Sequence, residues 1–207
     1  MKDNRTREQM MKVVRDALVD TDSSDISEAP CAAKKTFIDD EGEDISVLFA
    51  QSFTQFGGKM YYCYNEEDIS KRIIEIQQSH GDTTIGCASE NLVSFLGHLN
   101  IENRCLCDIS KCYTLGATLC ETLIAWRGGI VISSNQGLGT TIPSLPETTI
   151  VLAFTSQVVT DWEAAFERMK SLYNEIPENI MLTTPASYAY RKGLQKLYLI
   201  LIEDETN

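Results

Sequence analysis

The chain has no apolar run long enough to cross a bilayer. Stretches such as Tyr198 to Ile202 fall far short of the roughly 20 residues that a spanning helix needs. Its opening residues, Met1 to Arg15, are charged and contain no apolar core of the secretory kind, so a cytoplasmic location is expected. Basic residues are scarce as well. Eighteen Lys and Arg face 30 Asp and Glu, a net charge of −12, and that balance argues against a nucleic-acid backbone as partner. Much of the excess is local: residues 20–44 hold nine acids against Lys34 and Lys35, −7 of the −12. The acidity therefore marks a solvated connector more than a binding face.

Ordered cysteine spacing is missing too. The seven cysteines include four, Cys31, Cys63, Cys87 and Cys120, scattered singly in apolar surroundings, where a thiol serves as a small hydrophobe. Cys105, Cys107 and Cys112 lie within eight residues, but their spacing matches neither a zinc nor an iron–sulfur pattern. Cys105 and Cys107 share one face of a short strand, so they are expected in a core and no structural metal is expected. Nucleotide motifs are absent: no Gly-Lys-Ser/Thr and no complete dinucleotide fingerprint. The two histidines, His80 and His98, stand at helix ends and fit no Ser/His/Asp pattern.

What is present is a regular alternation. Residues 5–18 read as an amphipathic helix with Met10, Val13, Val14, Ala17 and Leu18 on one face. Residues 19–44 form the acidic connector, and 45–207 a single α/β domain. Phe49, Phe53 and Phe56 stripe a helix that Gly57-Gly58 stops. Strand Lys59–Tyr64, a helix capped by Asn65, strand Thr83–Ala88, a helix capped by Ser89 and strand Arg104–Cys107 follow, a β-α-β-α-β rhythm that implies parallel strands. Ala117–Ala125 and Gly129–Ser134 read as two strands joined by a tight turn, hence antiparallel. Thr149–Phe154, a helix begun by a Thr160/Glu163 capping box, Ile180–Thr183, a Thr184-Pro185 helix start and Lys196–Ile202 complete the chain. The expected fold is a three-layer α/β/α sandwich, its sheet mostly parallel with an antiparallel edge.

Three features could carry chemistry. The Ser134–Thr141 loop, with Asn135, Gly137, Gly139 and Thr140, offers backbone donors to an anion. Thr184 and Ser187 begin a helix, whose free N–H groups and dipole also favour an anion. Glu121 stands inside an apolar run, where a carboxylate needs a partner or a function; Arg127, in the turn with Gly128 and Gly129, could be that partner. The ligand site is expected where the loop meets the helix start. No catalytic residue and no cofactor are assigned.

Several segments together resemble one family. Gly116 to Ser134, Pro143 to Phe154, Val158-Val159 with the helix after it, Leu199 to Asp204, and earlier Phe53 to Lys59 and Tyr62 to Glu67 follow, in order over about residues 5–204, the pattern of the LUD (lactate-utilisation C subunit, YkgG-like) family. The resemblance implies a fold similar to the ribose-5-phosphate isomerase and CoA-transferase group. It also implies a small anionic ligand, phosphate- or CoA-like or an organic acid, and iron–sulfur partner proteins in lactate oxidation. The sequence departs from the pattern: Arg127-Gly128-Gly129 stands for Thr-Gly-Ser, Thr140 for a basic residue, and the late motif is reduced to Pro185, Ser187 and Arg191. A second reading is therefore a divergent relative that acts as a non-catalytic interaction protein.

Overall fold

The computed structural model describes residues 44–81, 84–105, 113–136, 146–173, 176–177, 179–187 and 196–204. The expected helix over 5–18, the acidic connector up to residue 43, Cys107 and Cys112 lie outside these.

A six-stranded sheet, all parallel, forms the frame. Its strands are β1 (Lys59–Cys63), β2 (Ile85–Cys87), β3 (Asn103–Cys105), β4 (Leu115–Leu119), β7 (Thr148–Phe154) and β10 (Lys196–Ile202), in the spatial order β1-β10-β7-β4-β2-β3. The chain crosses from β1 to β2 and β3 through α2 (Glu66–His80) and α3 (Glu90–His98), then returns through β4, β7 and β10. Right-handed crossovers put outward and returning connections on opposite faces. Accordingly α2 and α3 bury Ile69, Ile73, Ile76, Leu92 and Leu96 on one face, against Tyr198 and Ile200 of β10. The other face, with Leu197, Leu199 and Leu201, receives α1 (Ile45–Gln55) and a second sheet. Alternation along β10 feeds both cores, so the strand reads as one continuous apolar run.

The second sheet has four strands ordered β8-β5-β6-β9: β5 (Thr122–Ile124), β6 (Gly129–Ser133), β8 (Val158–Val159) and β9 (Ile180–Thr183). Its inner side packs on the main sheet through Leu123, Ile130 and Ile132. Its outer side carries α4 (Trp162–Leu172) on Ile124 and Val131. The α/β class, the parallel sheet and the antiparallel β5–β6 pair are as the sequence implied. The antiparallel strands, however, build their own sheet. The single run expected over Ala117–Ala125 divides into β4 and β5, broken at Cys120-Glu121, because the chain leaves one sheet there and enters the other.

Local signals held closely. Asn65 accepts from the Asp68 N–H at 2.8 Å, and Ser89 from that of Leu92 at 3.3 Å, closing the first turns of α2 and α3. The cap of α4 is Asp161, which accepts from the Ala164 N–H at 2.9 Å, one residue beyond the expected Thr160. Gly57 takes φ +86 just after α1, a left-handed turn that glycine adopts without cost.

Cys63, Cys87 and Cys120 are buried free thiols. Burial pushes Cys63 and Cys87 up to about 12, far from the thiolate form at neutral pH. Iodoacetamide at pH 8 should leave all three unmodified in the native protein and label them in urea, as read by intact mass. Cys105 departs from the expected core thiol: it is disulfide-bonded.

Candidate functional site

In open α/β sheets ligands bind beyond the carboxyl ends of strands, where neighbouring strands send their connections to opposite faces. Here β2 and β4 are such neighbours: β2 leads to α3 on one face and β4 to the small sheet on the other. Glu121 stands two residues past β4 and is 3% exposed.

Three elements converge on its carboxylate. The Ser133 hydroxyl, at the end of β6, donates to Oε1. The Tyr173 hydroxyl, just past α4, donates to Oε2 at 2.9 Å. The Ser133 Oγ in turn accepts from the Asn135 N–H at 3.1 Å, and the Asn135 side chain bonds Tyr173. The Glu121 N–H donates to the Val131 carbonyl at 2.8 Å. Gln157 ties this bend to the end of β7: its Nε2 donates to the Cys120 carbonyl at 2.7 Å and its Oε1 accepts from the Phe154 N–H at 2.7 Å. Two hydroxyl donors thus replace the water that a buried carboxylate loses.

A second carboxylate lies along the same edge. Asp204, past β10, accepts from the Thr155 hydroxyl at 2.6 Å, the Ser156 N–H at 2.6 Å and the Ser156 hydroxyl at 3.0 Å. Burial alone would raise its pKa, but these donors and the positive charge of Arg168 hold it below the ordinary carboxylate value. Arg168 acts electrostatically on both Asp204 and Cys120. Its Nε is buried with no hydrogen-bond partner among the described residues. A donor placed so is costly unless something else accepts from it.

The expected site residues separate into two groups. Glu121, Ser134 and Asn135 stand together at the carboxyl edge. Arg127, Gly128, Gly129, Thr184 and Ser187 stand at the other end of the small sheet. The register of β6 on β9 pairs Ser133 with Ile180 and Ile130 with Thr183, which separates the loop start from the helix start by about 10 Å at ~3.3 Å per residue. Both segments follow strands, but β6 and β9 are antiparallel, so among the described residues Ser134 and Asn135 stand at the opposite edge from Thr184 and Ser187. The Thr184 and Ser187 groups bond each other: the Thr184 N–H donates to Ser187 Oγ at 2.9 Å and the Ser187 N–H to Thr184 Oγ1 at 3.2 Å. Arg127 is exposed, with its guanidinium over the Trp126 ring at 4.9 Å, so it is not the partner of Glu121. Gly128 and Gly129 press against α1 and β9. Gly137, Gly139 and Thr140 lie outside the described residues. Tyr173, Ser133, Arg168 and Asp204 were missed; only the anomaly of Glu121 in an apolar run pointed here.

Two tyrosines, Tyr198 buried and Tyr173 half-buried, set an alkaline limit. Tyr173 is raised by burial and then by Glu121, against a smaller opposing effect of Asn135. Tyr198 is pushed up to about 12, chiefly by burial. Folding holds these protons more tightly than the unfolded chain, so the stabilisation is complete below pH ~10 and is lost as pH rises through the folded values. Urea midpoints should stay level up to that point and fall above it. Tyr173→Phe and Tyr198→Phe should each flatten the fall.

The fold is that of an α/β domain built on a parallel sheet, with Glu121 and Asp204 past the carboxyl ends of β4 and β10. The family model described as LUD domain matches residues 47–191, and the chain belongs to that family. Among solved structures, a DUF162 family protein from Deinococcus radiodurans is similar, with a TM-score of 0.60 and 15% identity over 76% of this chain and 96% of that one; the likeness is one of fold. No functionally curated protein matches the sequence significantly. No helix among the described residues is long and apolar enough to cross a membrane.

Proposed function

We propose that this LUD-domain protein binds a small anionic ligand, a hydroxy acid or a phosphate or CoA ester, at the carboxyl edge beside Glu121, and serves organic-acid metabolism of the lactate type. The observation that carries the reading is the buried Glu121 carboxylate held by Ser133 and Tyr173 just past the carboxyl end of β4. A carboxylate poised between two hydroxyls can take or return a proton at a ligand hydroxyl. Arg168, with its buried Nε unpartnered among the described residues, supplies the positive charge that an anionic ligand needs. The iron–sulfur partners implied by the family belong to the same reading.

One observation favours the second reading, a non-catalytic interaction protein. Both Glu121 oxygens already accept from the chain's own hydroxyls, so a ligand must displace one of them. A thermal-shift screen against hydroxy acids, sugar phosphates, nucleotides and CoA esters separates the two. Ligand binding predicts a rise in Tm with one class, lost in Arg168→Ala and kept in Arg127→Ala. No rise with any class favours the interaction protein.

A further inference from the structure

We infer that the protein holds a second ligand site at the amino edge of the main sheet, a cavity that takes a small aliphatic ammonium ion. The cavity measures about 360 Å³ and is lined by Ile74, Gln77 and Gln78 of α2 and by Asn100, Ile101 and Glu102. Its place follows from the topology. Helix α2 leaves the carboxyl end of β1 and ends at His80, shortly before β2 begins at Ile85, and residues 100–102 stand just before β3 begins at Asn103. The cavity is therefore at the other end of the strands from Glu121, and the inference does not rest on any role for that residue.

Local chain geometry builds the walls. Ile74, Gln77 and Gln78 stand at i, i+3 and i+4, on one side of α2. Ile74 is the isoleucine of that helix left out of the core: Ile69, Ile73 and Ile76 are at most 3% exposed, Ile74 38%. Opposite, the chain leaves α3 through Asn100 at φ +57. The Asn100 N–H donates to the Gly97 carbonyl and the Ile101 N–H to the Leu96 carbonyl, both at 3.0 Å. This tight reversal buries Ile101 and leaves Glu102 exposed. Glu102 is anchored at both ends: its carbonyl accepts from the Ile85 N–H at 3.0 Å and its Oε1 from the Thr84 hydroxyl at 2.9 Å. A carboxylate has room for further donors.

Charge selects the occupant. Glu102 is the charged residue of the lining, and no Lys or Arg accompanies it. The end of α2 adds the last helix carbonyls and the negative end of the helix dipole. The bases of α2, Lys71 and Arg72, come before Ile74, and Arg72 pairs with Glu75 at 2.7 Å. An anion is repelled here. An ammonium group gains Glu102 and the helix end, with the carboxamide oxygens of Gln77, Gln78 and Asn100 as further acceptors. Ile74 and Ile101 face its hydrocarbon part. The volume is near the lower limit of small-molecule sites, roughly 300–1,000 Å³, which fits a short alkyl chain.

Saturation-transfer NMR on the full-length chain, at about 0.15 M salt to screen exposed charges, tests this with butylammonium chloride as the probe. The transfer to butylammonium should saturate. An equal concentration of 1-butanol, which has the same chain without the charge, should displace it poorly, and butyrate should not displace it at all. Gln78→Lys should abolish the binding and Gln78→Glu should strengthen it severalfold; Gln78 is exposed, and the three side chains have similar helix propensity. Glu102→Gln should weaken binding about tenfold. Circular dichroism should be the same for all of them. The comparison of probes needs only the natural sequence, so it stands even if a variant fails to fold. Absence of saturable transfer overturns the inference, as does displacement of butylammonium by 1-butanol or butyrate at equal concentration. It is equally overturned if Gln78→Lys and Glu102→Gln bind the amine as the natural sequence does, because the amine would then sit on other surface carboxylates.

Discussion

Gly128→Val should strongly destabilise the protein. Gly128 adopts φ +59 in the turn between β5 and β6, a region that a β-branched residue almost never enters. A Cβ built there would stand 2.5 Å from Phe53 Cα and 2.7 Å from Phe53 N. Those are backbone atoms in the last turn of α1, and they cannot swing aside as a side-chain tip could. Left-handed backbone costs roughly 1–2 kcal/mol and forced overpacking a further 1–3, so a loss of about 3 kcal/mol or more is expected. The control is Gly57→Ala. Gly57 is also left-handed, at φ +86, but a Cβ there meets nothing within 4 Å, so only the backbone penalty, about 1 kcal/mol, applies. Arg127 is itself at φ +62, and Arg127→Gly should stabilise slightly by removing that strain. Urea midpoints for the three variants check the order. A Gly128→Val protein as stable as Gly57→Ala would mean that α1 does not sit on this turn.

That turn also shows why part of the site was not legible in the sequence. Caps and breaks are local, so Asn65, Ser89 and Gly57-Gly58 announce their elements within four residues. Strand pairing is not local. The run from Ala117 to Ala125 is buried almost throughout because both β4 and β5 are covered on two faces, and no polar-apolar alternation betrays the change of sheet at Cys120-Glu121. The partners of Glu121 lie 12 and 52 residues away. Tyr173 looked like one more apolar residue of a helix stripe, and half of it is that: it packs beside Met169 while its hydroxyl reaches the carboxylate. The tight turn was legible from its glycines, but not that Gly128 lies against the backbone of α1.

Glu121→Ala should be the most damaging change at the carboxyl edge, and Glu121→Gln should separate its two roles. Alanine removes the acceptor of both Ser133 and Tyr173 and leaves two hydroxyls facing a small cavity. Each unsatisfied buried group costs about 1–3 kcal/mol, so a loss of roughly 2–4 kcal/mol is expected, somewhat less if water enters. Glutamine keeps the shape, yet it offers one carbonyl oxygen where the carboxylate offered two acceptors. One of the two hydroxyls, Ser133 or Tyr173, then meets an NH2 group. That hydroxyl can rotate and accept, so the expected cost falls to about 1 kcal/mol. Tyr173 provides a second check. With Glu121 neutralised, the phenol loses the negative charge that helps raise its pKa, and its ultraviolet titration should move towards the ordinary value near 10. If the carboxylate only holds the β4–β5 bend together, Glu121→Gln should retain whatever ligand the thermal-shift screen finds. If it handles a ligand proton, the variant should fold and bind but lose the proton transfer, because an amide cannot take up a proton at neutral pH.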